Sequence, residues 1–351
     1  MNLEIWSLSG SAFHFGEQGL GQEKTRACWS SDSLFAALIA RLAALKGTAG
    51  VENWMKPFLE NRPPFLLTSL FPFAGEVYFF PVPLAAALPD GRALPANVQA
   101  KDLKKVQFVS ERLYRLLLSG SSLQDILPQR QELHGGRVWL TVEEQKALPP
   151  SPQKGEPFKI WHIEKRPRVT IDRVSNASNL FHTGAVHFAH GCGLWFGVQW
   201  LDASADRRLF EHLLYDLGEA GLGAERSVGY GKGTFQKRGV LDLPDPKTMW
   251  TSLSRYLPRQ AEMSVFDSRR AAWRVQTVGG WLDSPLKSGQ RRRAINLVQE
   301  GATLQMPAGI QPPFGQIVDV RPRYRTGEEY PVPHAVYRSG LTVAVGYGGD
   351  K

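Results

Sequence analysis

The chain has only two cysteines, Cys28 and Cys192, among 351 residues. That is too few for the disulfide framework of a small secreted module, and they lack the paired spacing of a thiolate metal site. No run reaches the ~18 apolar residues of a bilayer-crossing helix, so any membrane role is expected to come through a partner. The start, Met1 to Trp6, reads as an amphipathic strand rather than a charged segment before an apolar signal core, which makes a reducing cytoplasm the expected location. Walker and Rossmann fingerprints, a Ser-His-Asp order and a paired acidic motif are also missing. Nothing in the chain therefore calls for a cofactor.

What the sequence does have is positive charge and apolar bulk. Lys and Arg number 42 against 33 Asp and Glu, a net charge of +9, so the surface attracts polyanions by counterion release. Arginine outnumbers lysine, in clusters such as Arg166 and Arg168, Arg291 to Arg293, and Arg321, Arg323 and Arg325. Guanidinium forks suit phosphates and stack on bases, although a solvated basic face without a ligand has the same composition. With 42% apolar residues the chain can bury a substantial core, and the 24 prolines and 34 glycines put much of it in loops and hairpins.

Periodicity gives a fold class of α+β. Leu3 to Leu8 alternate as a half-buried strand. Ser30, Ser31 and Asp32 supply capping oxygens for a helix carried by Leu34, Phe35, Leu38, Ile39, Leu42 and Leu45 until Gly47. Phe65 to Phe73 and Glu76 to Phe80 read as strands around a turn at Ala74 and Gly75. A long irregular middle follows, with a strand or turn and then a short helix inside Lys101 to Leu118. Insertions of this kind are usually functional arms or lids. Val186 to Leu201 returns to strand, Arg207 to Leu217 is an amphipathic helix, and Gly229 to Phe235 leads into another strand. That order is the one found in a ferredoxin-like domain, predicted over residues 1–238 with an inserted arm and a glycine-rich loop. Leu241 to Pro246 reads as a linker, and residues 247–351 as a second, smaller, mainly β domain, a degenerate copy of the first.

Three motifs have candidate chemistry. Gly221 to Gly233 sets five glycines and two cations between a helix and a strand. Exposed amides of Gly223, Gly229 and Gly231 beside Arg226, Ser227 and Lys232 can cradle phosphates, and Tyr230 can stack on a base; a glycine-rich packing turn reads the same way. Phe13, His14, Phe15 and Gly16 follow the first strand, so His14 is a contact for ribose-phosphate, a general base on RNA, or a structural histidine. Arg166, Arg168 and Arg173 surround an alternating stretch that presents cations along a hairpin arm or guards an ordinary edge strand. His182, His187, His190 and Cys192 lack zinc-ligand spacing, and no metal site is assigned.

Several of these segments, in this order, resemble the five-prime-tag-binding RAMP subunit of type III-A (Csm-type) CRISPR effector complexes: Phe13 to Leu20, Ser30 to Leu38, Lys104 to Ser110, Leu116 to Gly120, Arg166 to Arg173, Asn179 to Phe181 and Ser227 to Gly231. Gly340 to Gly349 looks like part of that family's second domain. The resemblance implies two RRM-like domains and a non-catalytic scaffold that holds the 5′ repeat-derived tag of the guide RNA. The implied neighbours are the large polymerase/cyclase-type subunit and the backbone RAMP subunit, with target RNA near the guide 5′ end and Arg166 to Leu180 as a protruding hairpin. Expected RNA contacts are His14, Phe15, Gly16, Lys104, Lys105, Arg166, Arg168, Arg173 and the glycine loop. The alternatives are a RAMP endoribonuclease processing precursor RNA with His14 as base, or a basic RNA-binding protein outside CRISPR systems.

Overall fold

The alternating residues at the start form strand β1 (Asn2–Ser9) in the computed structural model of the protein. It describes the chain apart from residues 17–21, 24, 89–90, 97, 152–155, 172–177, 283–288, 324–331 and 349–351. After β1 come β2 (Gln22–Glu23), helix α1 (Ser31–Leu59), β3 (Phe65–Leu67), β4 (Phe71–Ala74) and β5 (Val77–Pro81). The middle holds α2 (Ala100–Lys105), β6 (Phe108–Ser110), α3 (Glu111–Leu118), β7 (Arg130–Leu133), β8 (Val138–Thr141) and α4 (Val142–Lys146). A long ribbon of β9 (Trp161–Ile171) and β10 (Ser178–Phe188) leads to β11 (Cys192–Trp200), α5 (Arg207–Ala220) and β12 (Thr234–Asp242). The carboxy-terminal strands are short: β13 (Met249–Ser252), β14 (Val275–Val278), β15 (Ile295–Val298), β16 (Thr303–Gln305), β17 (Ile317–Asp319), β18 (Tyr337–Ser339) and β19 (Ala344–Tyr347).

The large sheet runs β12-β1-β11-β4-β5-β6-β8-β7, with β3 also on β11. Because β1 lies between β11 and β12, Leu3 to Leu8 are buried on both faces, and β1 is not the half-buried strand its alternation predicts. Its buried Glu4 is held by Trp6 Nε1 at 2.9 Å and Lys237 Nζ at 2.7 Å, partners that offset the cost of taking a carboxylate out of water. Helices α1 and α5 pack together, and Arg41 joins Asp216 at 2.5 Å across them. On α5, Phe210, Leu213, Leu214 and Leu217 are buried as the helical period predicts.

Helix α1 departs from expectation in three ways. Gly47 (φ 66°) breaks it but does not end it, since a second helical segment continues to Leu59. Leu45 is 63% exposed. By length and composition the 29-residue helix is apolar enough to cross a membrane, contrary to the expectation that no run is. The non-helical Gly47 splits it, however, and at ~1.5 Å per residue neither segment alone spans a ~30 Å hydrocarbon layer. Residues 100–105, expected as strand or turn, are helix α2.

The helix-start residues are used for something other than capping. Ser30 makes no side-chain cap. Instead Ser31 Oγ accepts the Arg255 amide at 2.9 Å, and buried Asp32 accepts Arg338 Nη1 at 3.0 Å. Ser254 Oγ donates to Leu67 O at 2.7 Å, and the Ser69 amide donates to Leu253 O at 2.8 Å. The carboxy-terminal region is thus bonded to the start of α1 and to β3. Its Leu253, Leu341, Val343 and Val345 join the main core, while Trp250, Tyr256, Val298, Leu304 and Phe314 form a second one. Residues 241–246, expected as a linker, are tied down: Leu243 pairs with Met1, and Pro244 O accepts from Gly346.

Candidate nucleic-acid interface

A groove of about 1360 Å³ runs between the amino-terminal and carboxy-terminal regions. Arg26, Lys104 and Arg137 line it from one side and Arg255, Arg274 and Arg292 from the other, with Glu300 as the single carboxylate among its described lining residues. Six cations against one acid make a trough of positive potential, and low-dielectric walls focus that field. Glu300 is engaged by Arg255 Nε at 3.0 Å and by Ser69 Oγ at 2.5 Å, so its charge is neutralised at the groove floor. Arg255 itself is only 5% exposed, and its buried Nη1 has no hydrogen-bond partner among the described residues.

Aromatic and amide side chains complete the lining. Trp29, Phe71, Phe108 and Trp161 come from the amino-terminal side, Trp273, Gln276 and Gln299 from the other. Phe71, Phe108 and Trp161 are buried in the wall, which leaves Trp29 and Trp273 as the rings with surface open beside the guanidinium groups, where a single strand can stack a base and place a phosphate.

The predicted contact residues divide among three places. His14, Phe15, Gly16 and Lys104 border the groove. Arg166 and Arg168 sit on one face of the β9–β10 ribbon, paired with Glu164 at 2.9 Å and Glu225 at 2.8 Å. Gly223, Arg226, Ser227, Gly229, Tyr230, Gly231 and Lys232 belong to the glycine loop, where Arg226, Ser227 and Lys232 are exposed and Ala224 reaches the groove. Lys105 is off the groove, bonded to Asp102 at 2.9 Å. Arg173 lies outside the described residues.

Three of the expected contacts take a different form. The His14 ring is fully buried, with Nδ1 against Gly184 O at 2.5 Å, and Phe15 is stacked between Phe13 and Trp29. His14 therefore braces the ribbon, and in this conformation it reaches neither a sugar nor a scissile phosphate. Tyr230 is likewise 7% exposed, with the Arg168 guanidinium 5.8 Å from its ring centroid.

Of the amides expected to cradle phosphates, those of Gly229 and Gly231 are used internally, by Arg226 O and Ala12 O. The N–H groups of Leu222, Ala224, Gly229, Tyr230, Gly231 and Gly233 donate to Gly231, His14, Arg226, Glu225, Ala12 and Gly218 carbonyls. A Cβ at Gly223 would meet His14 O at 2.3 Å, and one at Gly231 would meet Leu222 O at 2.2 Å. Gly223 and Gly231 thus let the loop lie against the segment from Ala12 to His14 that follows β1.

The cations that sequence reasoning missed are Arg26, Arg137, Arg255 and Arg274, each isolated in sequence and brought together only by the fold. The triplet containing Arg292 is visible in the sequence as a cluster, but nothing there places it at a groove. Among the described residues, no three His, Cys, Asp or Glu side chains converge as a metal site.

Residues 245–347 match the family model described as the CRISPR Csm4 C-terminal domain. A Thermococcus onnurineus (strain NA1) protein named CRISPR system Cms protein Csm4 is 23% identical over 329 residues, covering 90% of each chain. A Methanocaldococcus jannaschii protein of the same name is 26% identical over 257 residues, 67% of this chain and 65% of that one. The fold is similar to that in a crystal structure of a Csm3–Csm4 subcomplex of the type III-A CRISPR-Cas interference complex (TM-score 0.63, 17% identity, 98% and 99% of the two chains). It is also similar to a chain in a Csm1–Csm4 cassette with cA4 (TM-score 0.56, 18% identity, 99% and 98%). Together with the ordered motifs of the amino-terminal region, these matches make the chain similar to Csm4 proteins, by family model over residues 245–347, in sequence over 90% of its length and in fold.

Proposed function

We propose that the chain is a non-catalytic RNA-holding subunit of a type III CRISPR effector complex, acting in the cytoplasm, and that it grips the 5′ repeat-derived tag of the guide RNA in the inter-region groove. The observation that carries this reading is the groove lining of six cations against one carboxylate. A trough of that charge suits a phosphodiester strand. The order β12-β1-β11-β4, with α1 after β1 and α5 after β11, supports a ferredoxin-like first domain, an architecture shared with RNA-recognition modules. The carboxy-terminal strands are read as its reduced counterpart.

Docking between a large Csm1-type subunit and a Csm3-type backbone subunit is inferred from relatives crystallised as a Csm1–Csm4 cassette and a Csm3–Csm4 subcomplex. The ribbon, with Arg166 and Arg168 on one face, is assigned to the end of the guide where target RNA pairs. Against the endoribonuclease reading stands the buried, carbonyl-bound His14, which has no route to a 2′-hydroxyl in this conformation.

The test is an anisotropy titration of the complex assembled with its Csm1- and Csm3-type partners, using RNA with the repeat-derived tag and RNA with that tag scrambled. Tighter binding of the tagged strand is expected. Equal affinity removes tag recognition.

A further inference from the structure

We propose that Trp273 and the Gln276–Gln299 pair form a nucleobase subsite on the carboxy-terminal wall of the groove, where one base of the bound strand stacks on the indole and is read along its edge by the amides. This rests on the groove being the RNA path and names a specificity element within it.

Four of the largest fully buried side chains are tryptophans (Trp6, Trp139, Trp195 and Trp250), whereas Trp273 is 43% exposed within a groove. An indole open to water on one face is costly unless a partner covers it. Its position is nonetheless fixed. Ala272 and Thr303 exchange backbone hydrogen bonds at 2.8 Å each, and the Phe266 ring supports the indole at a centroid distance of 4.8 Å. With the Phe266 ring tilted 52° against it and 43% of its surface exposed, the indole is an anchored surface preorganised for stacking.

On the same wall of the groove, Gln299 Nε2 donates to Gln276 Oε1 at 3.1 Å. That bond orients both amides and uses one donor and one acceptor; the Gln276 amide nitrogen and the Gln299 carbonyl oxygen stay available for a base edge. The Gln299 backbone amide is itself bound to Arg274 O at 2.9 Å, and Arg292 is pinned by Nε to Gly279 O at 2.9 Å. Arg274 and Arg292 stand on the same wall. The subsite thus has a stacking face, an edge reader and cations for the phosphates on either side.

A protein contact would also cover exposed apolar groups, and Val275 and Met263 are 54% and 46% exposed nearby in sequence. The cations around the indole favour nucleic acid over an apolar protein surface. Trp281 supplies an internal control: it is 52% exposed, carries the Arg291 guanidinium 4.7 Å from its ring centroid, and does not line the groove.

The experiment is an abasic scan. Tag RNA and its single abasic variants are titrated against wild-type, Trp273→Ala, Trp273→Phe and Trp281→Ala proteins in the assembled complex. One abasic position is expected to weaken wild-type binding by about tenfold, the scale of one base–aromatic stack. Trp273→Ala should weaken intact RNA by a similar factor and become insensitive to that position, while Trp273→Phe and Trp281→Ala keep the wild-type profile. Gln276→Ala should flatten base preference at that same position. An unchanged abasic profile in Trp273→Ala overturns the subsite while leaving the groove reading intact; so does loss of a protein subunit from that variant's complex with RNA binding preserved. Wild-type protein that binds no RNA removes both.

Discussion

Arg338 Nη1 donates to both Asp32 Oδ2 and Asp32 O, at 3.0 and 3.1 Å, across 306 positions of sequence. Both side chains are buried, so the pair fixes the carboxy-terminal region to the first turn of α1, beside the groove floor. Removing one partner of such a pair strands the other charge, at a cost of about 3–5 kcal/mol. Arg338→Met and Asp32→Asn are each expected to lower stability on that scale by denaturant titration and to weaken RNA binding, because the groove walls are no longer held in register. Little change in either measurement would mean the two regions are fixed by their apolar contacts alone.

His14→Asn should cost stability of about 1–3 kcal/mol, since the 2.5 Å bond to Gly184 O at the ribbon base is disturbed in a buried site. Repeat RNA should stay uncut by wild-type and variant alike, as read by gel after prolonged incubation. Cleavage that disappears in the variant would restore the endoribonuclease reading.

Much of the frame was legible because periodicity is a local property. Phe210, Leu213, Leu214 and Leu217 repeat on one face of α5 whatever surrounds them, and the ribbon shows in the alternation around Val169. The groove was not legible. Arg26, Arg137, Arg255 and Arg274 share no motif, and only the tertiary fold sets them on facing walls. The glycine loop was ambiguous for a physical reason: glycine meets a demand for close packing as readily as one for outward amides, and the packing is what shows at Gly223 and Gly231. His14 was ambiguous likewise, because a ring nitrogen suited to RNA also suits a buried carbonyl.

Salt dependence tests the groove charge. Replacing Arg137 or Arg274, both exposed lining residues, with Gln should lower the slope of log K against log salt by about 0.7 for each single-strand phosphate that is no longer neutralised. Lys105→Gln, off the groove and paired with Asp102, should leave the slope unchanged. Equal slopes for all three variants would place the strand elsewhere.

His134 gives a pH signature. Its ring stacks on Trp161 at 3.8 Å and its Nε2 accepts the Ile160 amide at 3.0 Å, so the folded form is neutral. Burial, with Arg137 and Lys159 nearby, pushes its pKa down to about 4 from an ordinary 6.5. Between those values the unfolded chain binds the extra proton, so stability should fall as pH drops from 6.5 toward 4. In His134→Gln the loss over that window should shrink in denaturant titrations at stepped pH; an identical pH profile would remove His134 as the cause.

The most direct measurement is photo-crosslinking of tag RNA substituted with 4-thiouridine to the assembled complex, followed by mass spectrometry of the linked peptides. The account predicts crosslinks to groove-lining segments from both walls, around Lys104 to Phe108 and around Trp273 to Thr277. Crosslinks confined to the glycine loop and the ribbon, with both walls bare, would contradict it.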